Sequence, residues 1–223
     1  MRIILSRTDS IGDVVLTLPM AAALKREIPA CTIVFLGREY TRPVIEACSG
    51  IDEFLSWEKP FPALKADAII HVFPVSEICQ AAKKAEIPLR IATSRRIFTW
   101  FTCNKLLRIP RKNSDLHEAQ LNLRMLRGLG LREHYSLEEI GGMYGFDFQH
   151  KPDEIPQDAG HKRIRVILHP KSKGSAREWG LDNFSGLIRL LPSDKYEIVV
   201  TGTREEGGMM SEFLIKNRDR VTD

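Results

Sequence analysis

The sequence predicts an α/β protein made of two units on parallel sheets, the second of them incomplete. Three observations carry that expectation. Short apolar runs of strand length alternate with helical stretches from the N-terminus onward; a polar tract containing proline and glycine interrupts them; the alternation then restarts. At 223 residues the chain has room for one large domain, or for one domain and part of another.

Ile3 to Leu5 is the first apolar run, closed by a polar turn from Ser6 to Gly12. A helical pattern then runs from about Asp13 to Glu27. Pro19 lies inside it, lacks an N–H to donate, and predicts a kink. Thr32 to Leu36 is a buried strand ended by Gly37. Helix Thr41 to Cys48, a strand near Phe54-Leu55 and the apolar run Ala68 to Phe73 continue the alternation. Leu121, Met125 and Leu129 share one face of a long amphipathic helix predicted from Leu116 to Leu129, with Gly128 and Gly130 at its end. The tract Tyr144 to Lys162, with Pro152, Pro156 and Gly160, reads as a linker, so domains are expected at 1–155 and 163–223. In the second domain, strand Arg165 to His169, loop Pro170 to Ala176, helix Asp182 to Leu191, strand Glu197 to Thr201 and helix Glu205 to Lys216 follow in order. A third strand starts at Thr222. Two strand–helix units leave most of a parallel sheet edge unpaired, which is why this domain reads as partial.

Composition removes several functional classes. No run approaches the roughly 20 apolar residues of a membrane-spanning helix, and the N-terminal Met1-Arg2-Ile3 enters a strand with no signal-peptide core. A cytoplasmic protein is expected. Cys31, Cys48, Cys79 and Cys103 form no CxxC, and the histidines form no HExxH. Reduced, buried thiols are therefore expected, with no metal site and no cofactor. The first turn carries Gly12 alone, not G-x-G-x-x-G, and no phosphate-binding P-loop occurs, which disfavours a nicotinamide dehydrogenase or an NTPase. Charge is unevenly spread. From Lys83 to Lys112, nine Lys and Arg residues stand against one acid, Glu86, although the whole chain carries only +4. Local basicity implies an anionic partner at one place.

Three constellations carry chemistry. The first, Arg7-Thr8-Asp9-Ser10-Ile11-Gly12-Asp13, lies between the first strand and the first helix, where ligands bind in open parallel sheets. Gly12 is expected to permit a tight turn. Asp13 falls in the helix's first turn, where the macrodipole favours a carboxylate able to accept a proton, or one that simply caps the helix. The second is His169-Pro170-Lys171-Ser172-Lys173-Gly174-Ser175-Ala176-Arg177-Glu178-Trp179, a loop of hydroxyls, backbone N–H groups and cations suited to a departing phosphate. Gly202 and Thr203, at the next strand end, are further candidates. In the third, Phe98, Trp100 and Phe101 are interleaved with Arg95, Arg96 and Lys105. Cations there can neutralise phosphate or carboxylate, while the aromatics can rest at a lipid headgroup interface. No nucleic-acid motif accompanies them.

The first stretch closely resembles the opening of the family 9 glycosyltransferases, the lipopolysaccharide heptosyltransferases and their relatives. Those proteins start with a strand, a D-x-I-G-D-like turn and an apolar helix containing Leu-Pro, matched here by Asp9 to Asp13 and Leu18-Pro19. The resemblance continues through Pro29-Ala30 to Leu36, Asp115 to Glu118 with Asn122, Leu129-Gly130, His169-Pro170 to Trp179, and Val200-Thr201-Gly202. It implies a GT-B-like architecture: an N-terminal Rossmann-like acceptor domain with a partial C-terminal Rossmann-like nucleotide-sugar domain across a cleft. It implies Asp13 as general base, and an acceptor site of Asp9, Ser10, Gly12, Arg95 and Arg96. Lys171, Ser172, Lys173, Ser175, Arg177, Gly202 and Thr203 would hold a nucleotide-sugar donor such as ADP-heptose. The acceptor would be an anionic lipid-linked saccharide of the lipopolysaccharide core, with peripheral contact at the inner face of a bacterial inner membrane, no bound metal and no nucleic acid. Arg177 stands where the family has Lys, and Trp179-Gly180 where it has Trp-Pro. The family's later Asp-[Ser/Thr]-Gly-Pro-x-His-like motif does not occur. A C-terminally truncated form that transfers sugar poorly is therefore expected, with a non-catalytic anionic glycolipid-binding remnant as the alternative.

Overall fold

The computed structural model of the chain describes residues 1–112, 114–146, 163–172 and 177–222. Two compact units emerge, Met1–His150 and Lys151–Asp223. The first runs β1 (Arg2–Ser6), α1 (Ile11–Val15), α2 (Pro19–Glu27), β2 (Thr32–Gly37), α3 (Arg42–Glu46), β3 (Glu53–Ser56), β4 (Ala68–His71), α4 (Ser76–Lys84), β5 (Leu89–Thr93), α5 (Ile97–Thr102), β6 (Lys105–Leu107), α6 (Glu118–Leu123) and α7 (Leu137–Gly141). All six strands are parallel, in the order β3-β2-β1-β4-β5-β6.

That order is the doubly wound one, reversing direction between β1 and β4. The central strands are apolar on both faces because helices cover both. Ile3 and Leu5 join Val14, Leu18, Leu24 and Leu126 in one core, while Ile4 and Ile69 join Ile78 and Ala82 in the other. At the strand reversal, neighbouring loops leave in opposite directions and open a crevice beyond the carboxyl ends. The fold thus locates a site before any side chain is considered.

Two helices are shorter than their sequence patterns predict. The stretch expected from Asp13 to Glu27 begins at Ile11 and divides at Pro19, which becomes the first residue of α2. Leu18, Met20 and Ala21 bond back to Val15, Thr17 and Leu18 in a tighter turn. The stretch from Leu116 to Leu129 is α6 followed by a 3-10 segment, Arg124–Leu129, closed by Gly130 at φ +76°. A β-carbon on Gly128 would come within 2.8 Å of the Ile91 side chain, so glycine is what lets that segment lie on β5. The basic tract from Lys83 to Lys112 contains β5, α5 and β6. Arg90 hides β5 from a hydropathy reading. Its guanidinium bonds the carbonyls of Thr102 and Ile87, so a charged residue sits in a strand at little cost.

The second unit comprises β7 (Ile164–Leu168), α8 (Leu181–Leu190), β8 (Tyr196–Val200), α9 (Arg204–Met209), α10 (Ser211–Asn217) and β9 (Val221–Thr222), with parallel strands in the order β7-β8-β9. Leu168, Ile188, Ile198, Val200, Met210 and Phe213 form its core on one face of the sheet. Ile167, on the other face, is 65% exposed. The single helix expected from Glu205 to Lys216 is split at Met210, where Gly207 and Gly208 weaken the helix by their backbone entropy. No helix among the described residues is long and apolar enough to cross a membrane.

Candidate functional site

A cavity of about 490 Å³ opens at the carboxyl ends of β1, β4 and β5, where the strand order reverses. Arg7 and Asp9 line it from the loop after β1, Asp13 from the first turn of α1, Val72, Phe73 and Pro74 from the loop after β4, and Thr93, Arg95 and Arg96 from the end of β5. Arg111 and Glu118 complete the wall. Four arginines thus face three carboxylates, and the cavity is cationic.

Arg7 organises it. Its side chain is only 5% exposed. The Nε donates to Asp9 Oδ1 at 2.6 Å, one terminal nitrogen reaches Asp13 Oδ1 at 2.7 Å, and the other approaches Glu118 Oε1 at 3.5 Å. Asp13's second oxygen accepts from the Ser10 hydroxyl at 2.6 Å, and Ser10 caps α1 by accepting from the Asp13 N–H. Both carboxylate oxygens are therefore oriented, yet the side chain keeps 36% of its exposure and remains reachable. Two bonds hold a group that can accept more. The helix behind is anchored too. Thr17 donates to the Asp13 carbonyl, and the Asn122 amide bonds the Leu16 carbonyl and Thr17. Asn122 in turn accepts from Arg111, which also pairs with Glu118.

Burial pulls Arg111 down to about 10, with Arg7 and Arg95 pushing the same way. At neutral pH it still carries its proton. Asp13 and Asp9 pull the other way, so the carboxylates of the cavity offset part of the mutual repulsion of its arginines. Phe73 lies beneath two of them, 5.1 Å from the Arg96 guanidinium and 5.8 Å from that of Arg7.

The residues expected from sequence divide accordingly. Asp9, Asp13, Arg95 and Arg96 meet at the cavity, and Ser10 supports Asp13 from behind. Gly12 does not serve a tight turn. It lies inside α1, its φ is not positive, and a β-carbon there would meet open space. Arg7, Phe73, Arg111 and Glu118 escaped the sequence reading, although Arg7 and Glu118 fall within quoted motifs. α5 leaves Trp100 63% and Phe101 72% exposed, while Phe98 packs inward against Cys79 and Cys103.

In the second unit, Lys171 Nζ pairs with Glu178 Oε2 at 2.8 Å, and the Ser172 N–H donates to Glu178 Oε1 at 3.1 Å. The Lys171 ammonium, then the Ser172 N–H, hold the Glu178 carboxyl below the usual carboxylate range. The Glu178 carboxylate thus occupies both of these donors. His169 shares a hydrogen bond with Thr201 at the ends of β7 and β8. Arg177 is exposed. Lys173 and Ser175 lie outside the described residues. Thr203 is committed to a capping box, accepting from the Glu206 N–H and donating to the Glu206 carboxylate, and Gly202 leaves room for the Met210 methyl.

A doubly wound first unit with its cavity at the strand reversal, joined to a second parallel α/β unit, defines a GT-B-like fold. Its particular likeness is to heptosyltransferase structures. Escherichia coli heptosyltransferase WaaC with ADP superposes with a TM-score of 0.71 at 15% identity, over 100% of this chain and 73% of that one. The family 9 glycosyl transferase of Veillonella parvula gives 0.69 at 20% identity, over 96% and 66%. The E. coli ADP-heptose lipopolysaccharide heptosyltransferase II gives 0.67 at 14% identity, over 99% and 71%. At such identities the likeness establishes the fold. No family model and no curated protein matches the sequence.

Proposed function

We propose that the chain is a glycosyltransferase of the heptosyltransferase type, moving a heptose or similar sugar from a nucleotide-diphosphate donor to an anionic saccharide acceptor with inversion. The observation that carries this reading is Asp13, clamped by Arg7 and Ser10 at the rim of a cationic cavity, in a chain whose fold matches about three quarters of structures solved with ADP and with an ADP-heptose analogue. Arg95, Arg96 and Arg111 would neutralise the acceptor's phosphate or carboxylate groups. Asp13 would take the proton of the acceptor hydroxyl as its oxygen forms a bond to the anomeric carbon. The bond from that carbon to the diphosphate oxygen breaks in the same step, and the nucleoside diphosphate leaves carrying the electron pair.

Lys171 and the Ser172 N–H, both held by Glu178, would exchange that carboxylate for the donor's phosphates. Lys171→Ala is expected to weaken ADP binding about tenfold, read by calorimetric titration. An unchanged affinity would remove this loop from the donor site. Where the acceptor is lipid-linked, the exposed Trp100 and Phe101 beside Arg95 and Arg96 suit an anionic bilayer surface. Co-sedimentation with vesicles containing phosphatidylglycerol should fall at least about tenfold in the Trp100→Ser, Phe101→Ser double variant. Equal sedimentation of variant and parent would dismiss α5 as the membrane contact.

A further inference from the structure

Behind the cavity wall lies a group of side chains that the proposed transfer does not use. His71 ends β4, Cys79 lies on α4, and Cys103 follows α5. All three are buried, His71 and Cys79 completely. One ring nitrogen of His71 and the two sulfurs lie within 4.8 Å of one another. Neither His71 nitrogen has a hydrogen-bond partner. A buried imidazole with two unsatisfied nitrogens is costly, and native structures rarely leave one without a reason. The register explains how it arises. Ser6, His71 and Ala92 form one row across β1, β4 and β5, so all three point to the face covered by α4, where Cys79 and Cys103 pack against Ala92.

We infer that these residues form a zinc site, with His71, Cys79 and Cys103 as its three protein ligands. Two sulfurs and one imidazole nitrogen make a donor set for a soft or borderline transition ion and exclude magnesium and calcium. Zinc–sulfur bonds of about 2.3 Å and zinc–nitrogen bonds of about 2.0 Å set the ligand atoms roughly 3.3–3.8 Å apart in a tetrahedron, and the three atoms here lie within 4.8 Å of one another. Charge selects among the metals. Binding releases two thiol protons, and two thiolates with neutral imidazole exactly balance a divalent cation, whereas copper(I) would leave a net charge in a dry interior. A Cys79–Cys103 disulfide would leave His71 as unsatisfied as before. The His71 ring shares a strand row with Ser6, whose hydroxyl also has no partner. The site braces the cavity from behind. His71 directly precedes Val72 and Phe73 in the wall, and Cys103 closes the helix that follows Arg95 and Arg96.

The full chain, purified without chelator, is expected to hold about one zinc ion by elemental analysis. Exchange for cobalt should give the intense visible bands of a tetrahedral ion and a thiolate charge-transfer band in the near ultraviolet. Cys79→Ser and His71→Ala should each lose the metal and melt at lower temperature, while Cys31→Ser, which alters a buried thiol elsewhere, should keep it. Where a variant does not fold, the cobalt spectrum of the unmodified chain decides. A metal-free protein that gives no cobalt thiolate band overturns the proposal, whether its thiols titrate as free or mass spectrometry finds a Cys79–Cys103 disulfide.

Discussion

Asp13→Asn is expected to lower sugar transfer by about 10²–10⁴-fold while leaving the melting temperature nearly unchanged. The geometry explains the separation. Asparagine keeps one oxygen to accept from Arg7, and its amide can donate to the Ser10 hydroxyl, so the cap and the clamp persist. It has no carboxylate to receive the acceptor's proton, and only the chemical step suffers. The measurement is transfer from a nucleotide-heptose to a deacylated lipopolysaccharide core, with protein in excess of donor so that slow turnover is visible. Retained transfer in the variant would reject Asp13 as the base. A parent chain that binds the core saccharide but neither binds ADP nor transfers sugar would favour the glycolipid-binding alternative.

Replacing Arg7 should have the opposite profile, a loss of stability first and of activity as a consequence. Arg7→Met leaves Asp9, Asp13 and Glu118 facing one another around a buried thioether. Breaking a fully buried ion pair costs about 3–5 kcal/mol; because these carboxylates keep part of their hydration, a loss of about 2–4 kcal/mol is expected. Arg7→Lys should recover little of it, since one ammonium cannot span three carboxylates as the guanidinium fork does. Urea unfolding of the two variants against the parent gives the comparison. A midpoint unchanged in Arg7→Met would mean that the cluster contributes no net stability, and that Asp13 needs no positioning from Arg7.

How far the sequence is legible depends on whether a feature is local. The apolar runs at Ile3, Thr32 and Ala68 became β1, β2 and β4, because a strand buried on both faces must be apolar at consecutive positions, and the runs at Arg165 and Glu197 became β7 and β8, which pack a core on one face. β5 and β6 were not legible. Arg90 breaks the first run and Lys105 opens the second, and both are tolerated for reasons that lie elsewhere, in the Thr102 and Ile87 carbonyls and in the edge position of β6. Asp13 was legible as a first-turn acid, but Arg7 was not. One arginine in a polar turn looks solvated, and its burial comes from Glu118 and Phe73, far along the chain.

Sequence by itself determined the α/β alternation, the break at Pro19 and the concentration of positive charge ahead of Lys112. Each follows from neighbours along the chain, through φ restriction or local charge density. Tertiary structure alone decided which charges meet. Strand order β3-β2-β1-β4-β5-β6 carries Arg7, Phe73, Arg95 and Arg111 to one crevice, and carries His71, Cys79 and Cys103 into one buried cluster. Those encounters depend on which strands pair, and pairing is set by the burial of whole faces rather than by any spacing within the sequence.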